Sequence, residues 1–80
     1  MFEDIQKGMP PSKLFRELVA SNPALVSFRL ALLFGDEFEK LLGEAQQVIW
    51  HRKGPGEVQG LNDMELDAIL LRLMREAGYL

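Results

Sequence analysis

The segment of residues 23–34 constrains the fold of this chain most, because only Ser27 and Arg29 interrupt its apolar side chains. At about 3.6 residues per turn, apolar side chains in this order surround a helix on all sides. Asn22, followed by proline, is suited to begin such a helix, and Gly35 is suited to end it. A helix that is apolar all round must be covered by other elements, so we predict a central helix over 23–34.

Further helices are indicated on both sides of this segment. Each has apolar residues at spacings of three and four and a polar side chain suited to cap its first turn. The helices cover residues 13–20, 37–52 and 63–77, begun by Ser12, by Asp36 with Glu39, and by Asn62 with Glu65, and the last is ended by Gly78. No run alternates apolar and polar residues. The predicted fold class is therefore all-α, a compact bundle of about four short helices around the central apolar one.

Two segments lie outside these helices. In residues 1–11, Phe2, Ile5 and Met9 have the spacing of one short amphipathic turn, which glycine and proline between positions 8 and 11 break. This pattern predicts an N-terminal arm that packs on the body of the protein. Residues 54–60 are rich in glycine and predict a flexible loop. Neither side of that loop is large enough to fold alone, so we expect a single helical domain over residues 1–80.

The sequence offers no arrangement of side chains for catalysis. The chain has no cysteine and a single histidine, so His51 lacks the further ligands that a metal site needs. The acidic clusters occupy predicted first turns and the basic residues predicted last turns, where the helix macrodipole favours each sign of charge. No glycine-rich phosphate loop follows a strand. We predict a non-enzymatic protein with no catalytic residue, no metal and no cofactor.

The charge balance and the N-terminus bear on partners and location. The formal net charge of −3 repels phosphate at long range, so nucleic acid and anionic membranes are not expected partners. The first residues lack the basic and apolar regions of a signal peptide, and the longest apolar run is too short to span a bilayer. We therefore expect a cytoplasmic protein that is not embedded in a membrane.

A DNA-binding regulator of the helix-turn-helix type is the alternative function. Ala31 and Gly35 have the small-residue spacing of that motif, between two predicted helices. The helix over 37–52 would then enter the groove with an acidic first turn, and only Arg52 and Lys53 near its end could contact phosphate. The glycine is explained more simply as a helix stop.

Trp50 is one of two features that a single bundle core does not explain. It lies about 100° from the middle of the apolar stripe of its predicted helix, over Gly43 on the same side. An indole in this position is either covered by the loop at 54–60 or presented to a partner. Tryptophan is enriched among interface hot spots and is also a frequent core anchor, so both interpretations stay open.

The second feature is an apolar edge on the helix over 63–77, beside a core stripe that is already complete. Met64, Leu71 and Met74 form this edge, and methionine-rich edges recur both at adaptable binding surfaces and in ordinary cores. Together with Trp50 and Arg75 they are the predicted partner-binding residues. We predict a protein–protein interaction module, of the adaptor, inhibitor or assembly-chaperone kind, that binds a protein partner or a second copy of itself.

Overall fold

A computed structural model describes residues 1–41, 43–52 and 60–80. The described ranges contain no β-strand and no helix that is both long and apolar enough to cross a membrane. The helices in chain order are α1 (Glu3–Gln6), α2 (Pro11–Ser21), α3 (Ser27–Glu37), a 3-10 turn (Glu39–Leu41), α4 (Glu44–Trp50) and α5 (Asp63–Glu76). The chain is therefore an all-α bundle, as predicted.

Phenylalanine rings from separate parts of the chain form the centre of the core. They are Phe2, Phe15, Phe34 and Phe38, none of them more than 2% exposed. The ring centroid of Phe34 in α3 lies 5.2 Å from that of Phe2, 6.2 Å from Phe15 and 4.8 Å from Phe38, mostly in tilted or edge-to-face geometry. Such contacts add to the stabilisation that burial of the rings provides. The helix predicted to be central thus supplies Phe34, which, like Phe2, contacts the three other rings of the cluster.

α3 is nevertheless buried on only one face. Leu30, Ala31 and Phe34 lie in the core, whereas Phe28 and Leu32 on the opposite face are about half exposed. The sequence predicts cover on all sides of this helix. Among the described residues, only the face of α3 that carries Phe34 is covered, because the packed rings of the core lie there.

The bounds of α3 differ from the prediction at both ends. The carbonyl and side-chain oxygens of Asn22 accept hydrogen bonds from Leu25 and Ala24, at 2.9 and 3.2 Å, which forms a turn that delays the start of the helix to Ser27. Gly35 does not end the helix. It is buried inside α3 and has no positive φ, since the helix continues to Glu37.

The helix predicted over 37–52 is interrupted, and Asp36 with Glu39 does not begin it. Phe38 leaves α3 with φ −115° and ψ 73°, and its side chain is buried against Phe34 and Tyr79. Because this ring is buried, the backbone leaves the helical path at Phe38 and continues in the 3-10 turn. Gly43 then adopts φ +94°, a conformation that favours glycine, and α4 begins only at the next residue.

Ser12 does not act as the predicted helix cap, because α2 already begins at Pro11. Instead, the backbone N–H of Ser12 donates to Oδ1 of Asp67 at 2.7 Å, and its hydroxyl donates to Oδ2 at 2.8 Å. Both oxygens of one carboxylate are thereby used to join α2 to α5. The serine was correctly placed near a helix start, but its partner is on another helix.

The ends of the last helix agree with the prediction. Oδ1 of Asn62 accepts the N–H of Glu65 at 2.9 Å, which caps the first turn of α5, and Gly78 follows the helix with φ +88°. In the segment predicted as an arm, Phe2 and Ile5 are buried in the core. The loop predicted at 54–60 lies outside the described residues except for Gly60.

Candidate functional site

Three large apolar side chains on α3 and α4 are exposed side by side. Phe28 is 53% exposed, Leu32 one turn later on the same face of α3 is 47% exposed, and Trp50 at the end of α4 is 57% exposed. We call these three residues the aromatic patch. Water contact at large apolar side chains is unfavourable, so a cluster of them on one face is a candidate binding surface.

The two rings of the patch hold each other in a defined geometry. The centroids of Phe28 and Trp50 are 5.9 Å apart with the planes at 69°, an edge-to-face contact. On its other side the Trp50 indole stacks on the His51 imidazole, at 6.0 Å and 19°. Aromatic pairs in this geometry stabilise each other by about 0.5–1.5 kcal/mol beyond their burial. The aromatic contacts therefore stabilise this arrangement of the rings in the unbound chain.

Two hydrogen bonds beside the patch join α3 to α4 and to Arg52, which follows α4. The side-chain amide of Gln46 donates to the carbonyl of Ala31 at 3.3 Å, and Nε of Arg52 donates to the hydroxyl of Ser27 at 3.2 Å. Because early residues of α3 contact late residues of the α4 segment, the two helices run antiparallel. This arrangement brings Trp50 beside the first turn of α3.

Charge is distributed unevenly along this surface. Arg29 follows Phe28 on the exposed face of α3. Asp36 lies two turns further along the same face, near the C-terminal end of the helix. Neither side chain has an ion-pair partner within the described ranges. Glu44 begins α4 at the same end as Asp36, because α4 is antiparallel to α3. Along this face, Phe28, Trp50 and Arg29 lie at one end, Leu32 lies in the middle, and Asp36 and Glu44 lie at the other end.

Trp50 is the predicted partner-binding residue that the structure brings into this surface. The helical spacing placed the indole over Gly43 of its own predicted helix. In the structure the indole instead packs against Phe28 of α3. The side chain of Trp50 is 57% exposed, and the loop at 54–60 that the other interpretation places over it lies outside the described residues except for Gly60. Whether it binds a partner stays a prediction.

The methionine edge predicted on the last helix is not a continuous surface. Met74 is fully buried in the core, Leu71 is half-buried, and Met64 stands 82% exposed at the start of α5. The prediction for Met74 is wrong, since α5 is rotated so that this residue completes the buried stripe with Leu66, Leu70 and Leu73. Ile69, whose spacing also suits that stripe, is only partly buried. Arg75 is exposed in the last turn, separate from the aromatic patch.

Phe28 and Leu32 are the surface residues that the sequence analysis missed. Both were assigned to a helix thought to be covered on every side. The signal that marks their face is the spacing of Arg29 and Asp36, which bracket Leu32 at helical intervals. Charged residues on either side of an apolar position indicate a face that reaches water.

A shallow depression of about 290 Å³ lies on the neighbouring flank of α3 and is lined by Met1, Phe2, Leu33, Asp36 and Glu37. The Met1 amine donates hydrogen bonds there to the carboxylates of Glu3 and Glu37. These bonds, with Glu3 the stronger influence, raise the pKa of the amine above its ordinary value of 8.0, and the same contact lowers the pKa of Glu3. The one amine is therefore shared between two carboxylates of the chain, and Asp36 lines the same depression.

The described residues contain no group of three or more His, Cys, Asp or Glu side chains placed to hold a metal ion. His51 is exposed and stacks on Trp50. The helix-turn-helix alternative required a turn near Gly35, and that glycine lies inside α3 instead. DNA binding stays an untested prediction, now without the local geometry that suggested it.

Comparison with known proteins adds nothing to this picture. The chain matches no known protein family, and no curated protein and no solved structure is detectably similar to it. Function must therefore be inferred from the surface itself.

Proposed function

We propose that this chain is a non-enzymatic protein–protein interaction module that binds another polypeptide through the aromatic patch of Phe28, Leu32 and Trp50. The observation that carries the proposal is the contact between Phe28 and Trp50, two rings that are ordered against each other and yet more than half exposed. An adaptor, an inhibitor or an assembly chaperone would use such a surface. The predicted residues Met64 and Arg75 lie outside it, and Met74 lies beneath the surface.

The energetics of covering the patch favour this class of function. An aromatic side chain buries 150–250 Å² when fully covered, so enclosing the exposed half of one ring contributes roughly 2–3 kcal/mol. That is the size of effect seen at interface hot spots, where tryptophan is enriched. Because the rings already pack on each other, a partner would lose little side-chain entropy in ordering them.

The test is capture of binding partners by the purified chain, in low and in high salt. We expect a protein that stays bound in high salt, is lost with Phe28→Ser and is retained with Met64→Ser. Met64 is a matched control because it is an exposed apolar residue outside the patch. Identical capture by both variants would contradict the proposal.

Fluorescence gives a second readout on the partner so identified. Trp50 is the only tryptophan in the chain, so its emission reports on the patch alone when the partner has no tryptophan. We expect a blue shift on binding, because the indole leaves water. Capture of nucleic acid alone, released by salt, would instead support the helix-turn-helix alternative.

A further inference from the structure

The charges on either side of Leu32, at the middle of the exposed face of α3, suggest what covers the aromatic patch. We propose that the occupant is a second copy of this chain, docked so that the two α3 helices run antiparallel about a two-fold axis close to Leu32. This inference rests on the proposed function and names its partner. It is carried by the placement of Arg29 and Asp36 on the exposed face of α3.

The spacing of these charges is self-complementary. Arg29 and Asp36 are two turns apart, about 10 Å along the helix axis, and Leu32 lies within one residue of their midpoint. When two such helices pair antiparallel about that midpoint, Arg29 of each copy is level with Asp36 of the other. Leu32 then packs against its own counterpart, so one apolar contact lies between two ion pairs.

A parallel arrangement of the same two surfaces is less favourable. A parallel pair of α3 helices would put Arg29 against Arg29 and Asp36 against Asp36, and like charges in an interface oppose association. Glu44, exposed at the start of α4, adds a further carboxylate to the acidic end. Lys40, near the acidic end, is directed to the ring of Tyr79 at 5.8 Å.

The size of the patch fits the apolar part of a small symmetric interface. A standard interface buries about 800 Å² on each partner, a little over half of it non-polar. The exposed parts of the three patch residues amount to roughly 300 Å². Leu32 would form the apolar centre, and the Phe28–Trp50 pair of each copy would lie toward the two ends of the interface, beside the contacts between Arg29 and Asp36. We expect a reversible dimer toward the micromolar end of the range for such interfaces.

Charge reversal and mixing test this inference. The mass of the full chain is measured by sedimentation velocity over a range of concentrations for wild type, Arg29→Asp, Asp36→Arg and an equimolar mixture of the two variants. Each variant alone places like charges at both contacts, so its dimer should weaken at least tenfold. In the mixture every contact joins opposite charges, so a heterodimer of near wild-type affinity should form. Circular dichroism checks that each variant is folded.

Lys13→Asp is the matched control, because Lys13 is exposed on α2 and its reversal should leave dimerisation unchanged. The inference is overturned if either single variant dimerises like wild type, or if the mixture stays monomeric. A wild-type chain that is monomeric at every concentration, yet still captures a foreign protein through Phe28, would overturn the second copy and leave the proposed function standing. Monomeric behaviour without patch-dependent capture would overturn both.

Discussion

Phe28 and Trp50 belong to different helices, and their rings meet edge to face at 5.9 Å on the surface of the protein. The contact is possible because α3 and α4 are antiparallel and the bond from Gln46 to Ala31 fixes their register. Burial of the core does not require this pair. Its removal should therefore affect the surface more than the fold.

Phe28→Ala is expected to lower the free energy of unfolding by only about 1 kcal/mol, the value of a surface aromatic contact. It should also shift Trp50 emission to the red, as the indole loses its neighbour. Denaturant unfolding and fluorescence of the single tryptophan measure both effects. Phe34→Ala is the contrast, since loss of a fully buried ring costs about 3–5 kcal/mol. Equal losses for the two variants would show that Phe28 is part of the core.

Glutamate substitutions distinguish the two methionines of α5. Met74→Glu places a charge in the fully buried stripe and should unfold the chain, whereas Met64→Glu adds a charge at a side chain that is 82% exposed. The second variant should stay within about 0.5 kcal/mol of wild type. Circular dichroism during thermal unfolding separates these outcomes. A folded Met74→Glu variant would restore the methionine edge as a candidate surface.

The bond between Ser12 and Asp67 should couple α2 to α5. Ser12→Ala removes one of two hydrogen bonds to the carboxylate and should cost about 1 kcal/mol, while Asp67→Ala removes both and should cost about 2–3 kcal/mol. A double-mutant cycle on unfolding free energies gives the interaction between them. Strict additivity of the two substitutions would contradict the contact.

Gly43→Ala should destabilise the protein through its backbone alone. An added Cβ would meet nothing within 4 Å, so no clash occurs, but φ +94° is strained for any residue with a side chain. We expect a loss of about 1–2 kcal/mol. Gln47→Ala on the exposed face of α4 is the control and should be nearly neutral. A stabilising effect of Gly43→Ala would show that α4 continues the helix before it.

The N-terminal amine should titrate with a raised pKa. A group whose pKa is higher in the folded than in the unfolded state stabilises below the unfolded value of 8.0 and loses that effect as pH rises through the folded one. Glu37→Gln should lower the pKa of the amine, and Glu3→Gln should lower it further, because Glu3 is the larger cause. NMR titration of Met1 measures this directly. An unchanged pKa in both variants would contradict the ion pair.

Features set by neighbouring residues were the ones that the sequence predicted well. The cap formed by Asn62 and the helix end at Gly78 depend on a few adjacent backbone groups, and both are present in the structure. The helical fold class follows from the same local signals.

Features set by distant contacts could not be read from spacing. Gly35 is a good helix stop in isolation, but the next turn of α3 is held in place because Phe38 packs on Phe34 and Tyr79. The rotation that buries Met74 depends likewise on how α5 docks against α2 and α4. The pairing of Phe28 with Trp50 requires the antiparallel path of two helices that the sequence predicted with other bounds.

The position of Phe2 gives the assembly of the core a temporal order. Its ring is fully buried and packs against Phe34 and Phe38, more than thirty residues later in the chain. During synthesis on a ribosome, α1 emerges before α3, and Phe2 lacks these partners until α3 has left the exit tunnel. Gln6 waits longer still, because its side chain donates to the carbonyl of Tyr79. The helix α1 thus leaves the ribosome well before the partners of both its buried neighbour Phe2 and its own Gln6.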